Sequence, residues 1–331
     1  MDDAHHGQAP ETSNTRAAGA PFADDDALLG LLQMLRHAGY RFVTPTPATH
    51  ARVNRRAGNA HARALSDVFG WSRPFAPDLL PREMLELLEA ADAVTQDGAL
   101  LRSRLRVSSI GDECYLHSAF PTATEDAVFF GPDTYRYRRA QDAVFARRQT
   151  APARIVDIGC GAGPGAIGAA LRYPQAEVWA VDINPLALQL TRINARAAGL
   201  DNVRVCRSDL LRDVNGAFDF VMSNPPYLLD RARRTYRHGG GELGDGLSRD
   251  IVRAACQRLR SGGELLLYTG SVIVDGKDAL LAALPDMLLA QPVSWSYEEM
   301  DPDVFGEELE EDVYAHADRI AVVTLHLRRN E

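Results

Sequence analysis

The 331-residue sequence has no uninterrupted apolar run near the roughly 18 residues a membrane-spanning helix needs. Its first residues also lack the basic-then-apolar order of a secretory leader. A soluble, cytoplasmic protein with no membrane contact is the expectation. Cysteine is scarce: Cys114, Cys160, Cys206 and Cys256 lie far apart and form no C-x-x-C pair, which excludes a disulfide framework and argues against a zinc site. His5 and His6 fall in a polar tail, residues 1–24, read as disordered and not as a metal site. No metal is expected. Net positive charge is missing too: at −9, a broad phosphate-tracking surface is disfavoured.

What is present is enough for real cores. With 46% hydrophobic residues, the chain can build one substantial α/β domain and a smaller companion. Ala153 to Ile158 reads as a short buried strand, and Gly165 to Leu171 as a helix with Pro164 suited to its first turn. Between them lies Gly159-Cys160-Gly161-Ala162-Gly163. A glycine-rich turn feeding a helix N-terminus binds nucleotide-like ligands through backbone N–H groups and close backbone approach. The dinucleotide fingerprint G-x-G-x-x-G fits poorly, because Gly163 and Pro164 follow Gly161, which argues against a nicotinamide oxidoreductase. Cys160 reads as a small filler in this loop.

Further strand ends carry matching groups. Glu177 to Val181 ends in Asp182, about 20 residues after the glycines, where an acidic residue meets ribose hydroxyls. Asn202 to Ser208 ends in Asp209, suited to accept from an adenine amino group. Phe218 to Met222 leads into Ser223-Asn224-Pro225-Pro226-Tyr227. An amide or aromatic amine nitrogen is a poor nucleophile, because its lone pair is delocalised. Acceptors aimed at its N–H groups can draw it toward tetrahedral geometry. The Asn224 side-chain oxygen and the Pro225 carbonyl suit that role, with both prolines fixing the local φ angles. Tyr227 can stack on the planar group.

The series Asp157-x-Gly159-x-Gly161-x-Gly163, Asp182, Asp209 and Asn224-Pro225-Pro226-Tyr227 resembles the class I S-adenosylmethionine-dependent methyltransferases. Within them it is similar to the HemK-like, small-domain branch that methylates planar nitrogens, including release-factor glutamine N5-methyltransferases and RNA and DNA amino-methyltransferases. The resemblance covers about residues 125–330. It implies a Rossmann-like α/β fold with a seven-stranded sheet, the last strand antiparallel, and S-adenosyl-L-methionine as cofactor. It implies that Asp157, Gly159, Cys160, Gly161 and Gly163 lie against the methionine part of the cofactor. Asp182 would bind the ribose, Ile183 would pack on the adenine face and Asp209 would meet the adenine. Asn224, Pro225, Pro226 and Tyr227 would hold the target nitrogen, with Asn224 also beside the cofactor. Phe130-Gly131-Pro132-Asp133-Thr134 sits where the glutamine enzymes carry a proline-containing segment, though its wording departs from theirs.

Domain boundaries follow. Residues 25–121 read as helices and then a hairpin, with helices over 48–69 and 81–91 and strands 100–107 and 113–117 around 108–112. That is a winged-helix-like accessory domain or a small helical cap over the active-site mouth. Residues 122–150 connect it to the methyltransferase domain, 151–331. Arginines gather at Arg52, Arg55, Arg56 and Arg63, at Arg136, Arg138 and Arg139, and at Arg231, Arg233, Arg234 and Arg237. The last group would rim the pocket, open to phosphates or an acidic protein loop. Acidic residues gather between Glu298 and Asp312, either solvated or folded back on the arginines. The glycine-rich stretch 237–246 reads as a mobile substrate loop or lid. A glutamine-bearing protein loop is the first-choice acceptor, and an exocyclic amino group of RNA or DNA the second. A small-molecule amine and a non-catalytic cofactor-binding regulatory module are further readings. The intact Asn-Pro-Pro-Tyr run argues against the module, because a sensor has no use for nitrogen-orienting acceptors.

Overall fold

The computed structural model describes residues 21–122, 124–230, 234 and 236–330. Helix α1 (Asp25–His37) begins where the Asp24 carboxylate accepts from the N–H groups of Asp26 and Ala27, at 2.8 and 2.9 Å. Its buried Leu28, Leu31, Leu32 and Leu35 repeat at helical spacing. Helices α2 (Pro47–Asn54), α3 (Leu65–Phe69) and α4 (Arg82–Ala90) follow. The stretch 48–69, expected to be helical, is therefore two helices with a connection between them. Pro47 supplies a preset φ behind the Thr46 cap, and the chain leaves α2 after Asn54.

Two hairpins come next, where one was expected. Strands β1 (Val94–Asp97) and β2 (Leu100–Ser103) pair antiparallel, as do β3 (Leu105–Ile110) and β4 (Glu113–Ser118). Gly98 and Gly111 take positive φ in the two tight turns, the left-handed region such turns require. The expected strand 100–107 is broken at Arg104, and Ser108–Ile110 belong to β3. The tail reading of residues 21–24 is also corrected. Phe22 is buried, and its backbone N–H and C=O both bond to the Gln189 amide, at 2.7 and 2.8 Å. His5, His6 and the rest of 1–20 lie outside the described residues.

After α5 (Pro132–Arg147) the chain alternates β5 (Arg154–Ile158), α6 (Pro164–Arg172), β6 (Glu177–Asp182), α7 (Pro185–Ala197), β7 (Val203–Arg207), β8 (Phe218–Ser223), α8 (Gly246–Arg258) and β9 (Leu259–Val274). It closes with β10 (Lys277–Asp278), α9 (Ala279–Leu288), β11 (Val293–Asp301) and β12 (Arg319–Arg329). The sheet order is β11-β12-β9-β8-β5-β6-β7, with the short β10 paired to β9. The pairs among β5, β6, β7, β8 and β9 are parallel, whereas β12 runs antiparallel to both β9 and β11. This is a Rossmann-like α/β sheet of seven principal strands. Strand β11 went unread in the sequence, because its exposed positions, among them Ser294, Trp295 and Glu298, give an edge strand little apolar signal.

The N-terminal helices and hairpins share one apolar cluster with α7, through Leu186, Leu190 and Ile193. The Asn194 side chain spans the junction. It accepts from the Leu116 N–H at 2.9 Å and donates to the carbonyls of Leu116 and Ala162, at 3.1 and 2.9 Å. No helix among the described residues is long and apolar enough to cross a membrane.

Candidate active site

Strand β5 has β6 on one side and β8 on the other, so the connections leaving their C-terminal ends diverge and open a crevice, where open α/β sheets bind ligands. A cavity of about 230 Å³ lies there. It is lined by Asp157, Gly159, Cys160, Gly161, Asp182, Ile183, Asp209 and Asn224 through Tyr227. Every expected site residue except Gly163 thus meets in one place. Gly163 is in the left-handed region at the start of α6, and a Cβ there would lie 2.9 Å from the Thr191 methyl. Its smallness serves the packing of α6 against α7 and not the cavity.

The glycine turn works differently from the expected N–H cradle. The Gly159 and Cys160 N–H groups donate to the Val181 carbonyl, at 2.8 and 3.0 Å, and the Gly163 N–H donates to the Cys160 carbonyl. The Gly161 N–H donates to Asp182 Oδ2 at 3.0 Å. These donors are spent internally, and close approach is what the turn offers. Gly159 and Gly161 have positive φ, and a Cβ built on either meets nothing within 4 Å. The Cys160 thiol lies 3.5 Å from the Thr191 hydroxyl, and burial pushes it well up, so it is inert packing.

The carboxylates are held firmly. Asp157 accepts from the Tyr137 hydroxyl at 3.0 Å and the Ala166 N–H at 2.9 Å. Burial raises it to about 7, against the lowering effect of those two bonds. Above an unfolded value of 3.8 the native state therefore holds the extra proton, and this contribution to stability is lost as pH rises from about 4 through 7. The shift corresponds to on the order of 4 kcal/mol. Urea unfolding from pH 5 to 8 should show this loss in the wild type and a flatter profile in Asp157→Asn. Asp182 is likewise raised by burial, while its Oδ1 accepts from the Asn184 N–H at 2.9 Å. Ile183 remains 48% exposed, an apolar shelf at the cavity edge. Asp209 sits exposed at the rim, paired with Arg212.

Among the described residues, the Asn224 side chain and the Pro225 carbonyl take part in no hydrogen bond. Both residues line the cavity. Tyr227 departs from its expected role as a stacking platform. It is 7% exposed, its ring lies over the Cα of Gly270 and edge-on to Phe305, and its hydroxyl donates to Asp133 Oδ2 at 2.6 Å. The rim carries another aromatic pair, Phe129 and Tyr236, nearly parallel at 6.3 Å.

Asp133 was not among the expected site residues, although its segment stood out. It sits in the first turn of α5 and accepts from Tyr227, from the Tyr268 hydroxyl at 3.0 Å and from Arg136 at 3.1 Å. Asn184, also missed, accepts from the Leu186 N–H and donates to the Asp126 carbonyl at 2.7 Å, tying the connecting segment to the cavity wall. Asn-Pro before an apolar helix was its signal.

The glycine-rich stretch is a buttress rather than a lid. The Gly239 N–H donates to the Leu228 carbonyl at 2.8 Å, and a Cβ on Gly239 would lie 2.7 Å from the Tyr227 Cα. The two described arginines of the rim are ion-paired: Arg234 and Arg237 pair with Asp230, and Arg237 also with Glu308. Arg136 reaches Asp301 at 2.9 Å. Asp301 and Glu308 of the acidic run fold back on the arginines, while Glu298, Asp303, Glu307 and Glu310 stay exposed, so each of its two expectations holds in part. Arg231 and Arg233 lie outside the described residues. No cluster of three or more metal-ligating side chains occurs among the described residues.

Residues 143–277 match the methyltransferase small domain. The chain is 40% identical over 130 residues to the release factor glutamine methyltransferase of Deinococcus radiodurans, covering 36% of this chain and 46% of that protein. It is 32% identical over 151 residues to the ribosomal protein uL3 glutamine methyltransferase of Neisseria meningitidis, covering 42% and 47%. It is 33% identical over 152 residues to the 4-amino-L-phenylalanine/4-methylamino-L-phenylalanine methyltransferase of Streptomyces pristinaespiralis, covering 43% and 52%. The chain spans about half the length of the curated relatives it matches. Over residues 143–277 the chain is thus similar to the methyltransferase small domain, and over about half of their length to methyltransferases named for glutamine.

Proposed function

We propose that the protein is an S-adenosylmethionine-dependent N-methyltransferase acting on a planar nitrogen, with a protein glutamine side-chain amide as acceptor. Residues 25–121 serve as the accessory domain and 151–331 carry the reaction. The observation that carries this reading is the unspent pair of acceptors, Asn224 and the Pro225 carbonyl, in the same cavity as the glycine turn. The cavity residues fit the cofactor. Gly159 and Gly161 leave open the space a Cβ would fill, Ile183 offers a flat apolar contact, and Asp182 keeps acceptor capacity beyond its two backbone bonds. When bound, S-adenosylmethionine supplies an electrophilic methyl group on a sulfonium.

The chain's own residues do the rest. Asp182 binds the ribose hydroxyls, Ile183 covers the adenine and Asp209 meets its amino group after giving up Arg212. Asn224 Oδ1 and the Pro225 carbonyl accept from the two N–H groups of the acceptor amide and localise its lone pair. Pro225 and Pro226 hold those acceptors before substrate arrives, so little reorganisation is needed. Tyr227 fixes the motif from behind, through Asp133. Relatives named for glutamine and for 4-amino-phenylalanine share a planar acceptor nitrogen, which supports this class. The ion pairs of Arg234 and Arg237 and the net charge of −9 favour a protein over a nucleic acid.

The test is transfer of labelled methyl from S-adenosylmethionine into a lysate of cells lacking the gene, fractionated before and after nuclease. Label in nuclease-resistant protein is expected. Label lost with nuclease would move the acceptor to an RNA or DNA base, and label in neither would remove the macromolecular reading. Asp182→Ala should weaken S-adenosylmethionine binding by about 10- to 100-fold, as loss of a charged hydrogen-bond acceptor does, measured by calorimetry.

A further inference from the structure

The charge of −9 is unevenly spread. Residues 27–66 hold six arginines and no Asp or Glu, +6 within an acidic chain, an asymmetry that points to an anionic partner. Two of the six are paired, Arg36 with Glu113 and Arg41 with Asp112 of the second hairpin. The other four, Arg52, Arg55, Arg56 and Arg63, are exposed, and their side chains take part in no ion pair or hydrogen bond among the described residues. Surface arginines elsewhere sit beside acids that pair with them, as Arg82 does with Glu86, Arg204 with Glu177 and Arg253 with Asp250.

These four stand on a fixed scaffold. Arg52 belongs to α2, and the Arg55 N–H continues the helical path by donating to the Ala51 carbonyl at 3.1 Å. Arg55 and Arg56, three and four residues beyond Arg52, therefore share its face. The Arg63 N–H donates to Asp67 Oδ2 at 2.9 Å, and Asp67 also pairs with Arg73, whose Nε donates to Asn54 Oδ1 at 2.9 Å. That chain of bonds brings Arg63 to the end of α2. Like charges held this close repel one another, and a polyanion relieves the repulsion while releasing its own counterions.

The surroundings identify the polyanion. Between Pro47 and Ala64 no large apolar side chain is exposed, whereas a protein interface is built around an apolar centre. Ala57, Gly58, Ala60 and Ala64 lie exposed among the arginines, and their smallness leaves room for a backbone to approach. One acceptor stands among these donors. The Asn59 amide nitrogen donates to the Val53 carbonyl at 2.8 Å, which fixes the amide's orientation, and its Oδ1 has no partner among the described residues. A ribose 2′-hydroxyl can donate to that oxygen, and deoxyribose has none to offer.

We propose that the α2–α3 face docks the ribose-phosphate backbone of RNA, with Arg52, Arg55, Arg56 and Arg63 on its phosphates and Asn59 Oδ1 on a ribose hydroxyl. The face adjoins the active-site rim: Pro47 and His50 of α2 surround one small gap together with Phe129, which also lines the active-site cavity. RNA held there is a tether and not the methyl acceptor, so the inference does not depend on methyl transfer.

Fluorescence anisotropy of the full chain with a labelled single-stranded RNA of about 16 nucleotides tests it. For the wild type, log Kobs should fall by about 3 per decade of salt, as four phosphate contacts on a single strand require. Glutamine at all four positions (R52Q, R55Q, R56Q, R63Q) should flatten that slope and cost on the order of 10²- to 10³-fold in affinity at about 0.1 M salt. Glutamine at four ion-paired surface arginines, Arg82, Arg204, Arg253 and Arg260, removes the same charge and should cost no more than about tenfold, because distant charges are screened. DNA of the same sequence should bind about 2- to 10-fold more weakly than RNA, one hydrogen bond's worth. Unchanged binding in the first variant, equal losses in the two variants, or equal binding of RNA and DNA would overturn the proposal. No binding of RNA, with capture of a labelled polyglutamate peptide that the first variant loses, would replace it with an acidic protein partner.

Discussion

Asn224→Ala is expected to lower kcat by roughly 10²- to 10³-fold, the cost of deleting one preorganised polar group aimed at the reacting centre. S-adenosylmethionine affinity should change by no more than about tenfold, one hydrogen bond's worth. The reason lies in the geometry. Asn224 follows the last residue of β8 and makes no hydrogen bond among the described residues, so its removal leaves no broken internal contact. Its loss should therefore leave thermal stability nearly unchanged. Single-turnover kinetics with labelled cofactor, beside a calorimetric titration, separate chemistry from binding. A regulatory module would show unchanged behaviour in both. Equal loss of affinity and turnover would instead make Asn224 a cofactor ligand with no separate role toward the acceptor.

Asp133→Ala should be the most damaging single substitution to stability near the site, at about 3–5 kcal/mol, the usual cost of removing one partner from a buried charged network. Three donors converge on that carboxylate: the hydroxyls of Tyr227 and Tyr268 and the Arg136 guanidinium. Both tyrosines are buried, and each is held well above its ordinary value by burial first and the Asp133 charge second. Without Asp133 both hydroxyls lose their acceptor, and Tyr227 loses what fixes the end of the Asn-Pro-Pro-Tyr run. Turnover should fall along with stability. A double-mutant cycle of Tyr227→Phe with Asp133→Asn, read in urea unfolding and in kcat, should show coupling of about 0.5–3 kcal/mol. Additive effects would mean that Asp133 acts on stability alone.

The parallel part of the sheet was legible because its signals are local. A buried strand, a glycine turn and a proline-opened helix recur around β5 and α6, and Asp182 and Asn224 each follow a short apolar run. The N-terminal half was read less well. Its apolar residues repeat at helical spacing in α1 and α4, but the break at Arg104 between β2 and β3 rests on pairings the sequence does not display. Edge strand β11 hid for a related reason, since it buries few of its side chains and an exposed edge needs no apolar alternation.

The sequence by itself determined the chemistry available: the open turn at Gly159 and Gly161, the carboxylates Asp157 and Asp182, and the two acceptors at Asn224 and Pro225. These follow from residue type and local φ preference, which act within a few positions along the chain. Tertiary structure alone decided how each group is spent. Tyr227 became a buttress because Asp133, 94 positions away, accepts its hydrogen bond, and Gly163 became a packing residue because Thr191 lies against it. Arg234 and Arg237 became charge-paired because Asp230 and Glu308 fold onto them. Hydrogen bonds and ion pairs act over a few ångströms in space, so a group's partners are settled only when distant segments are brought together.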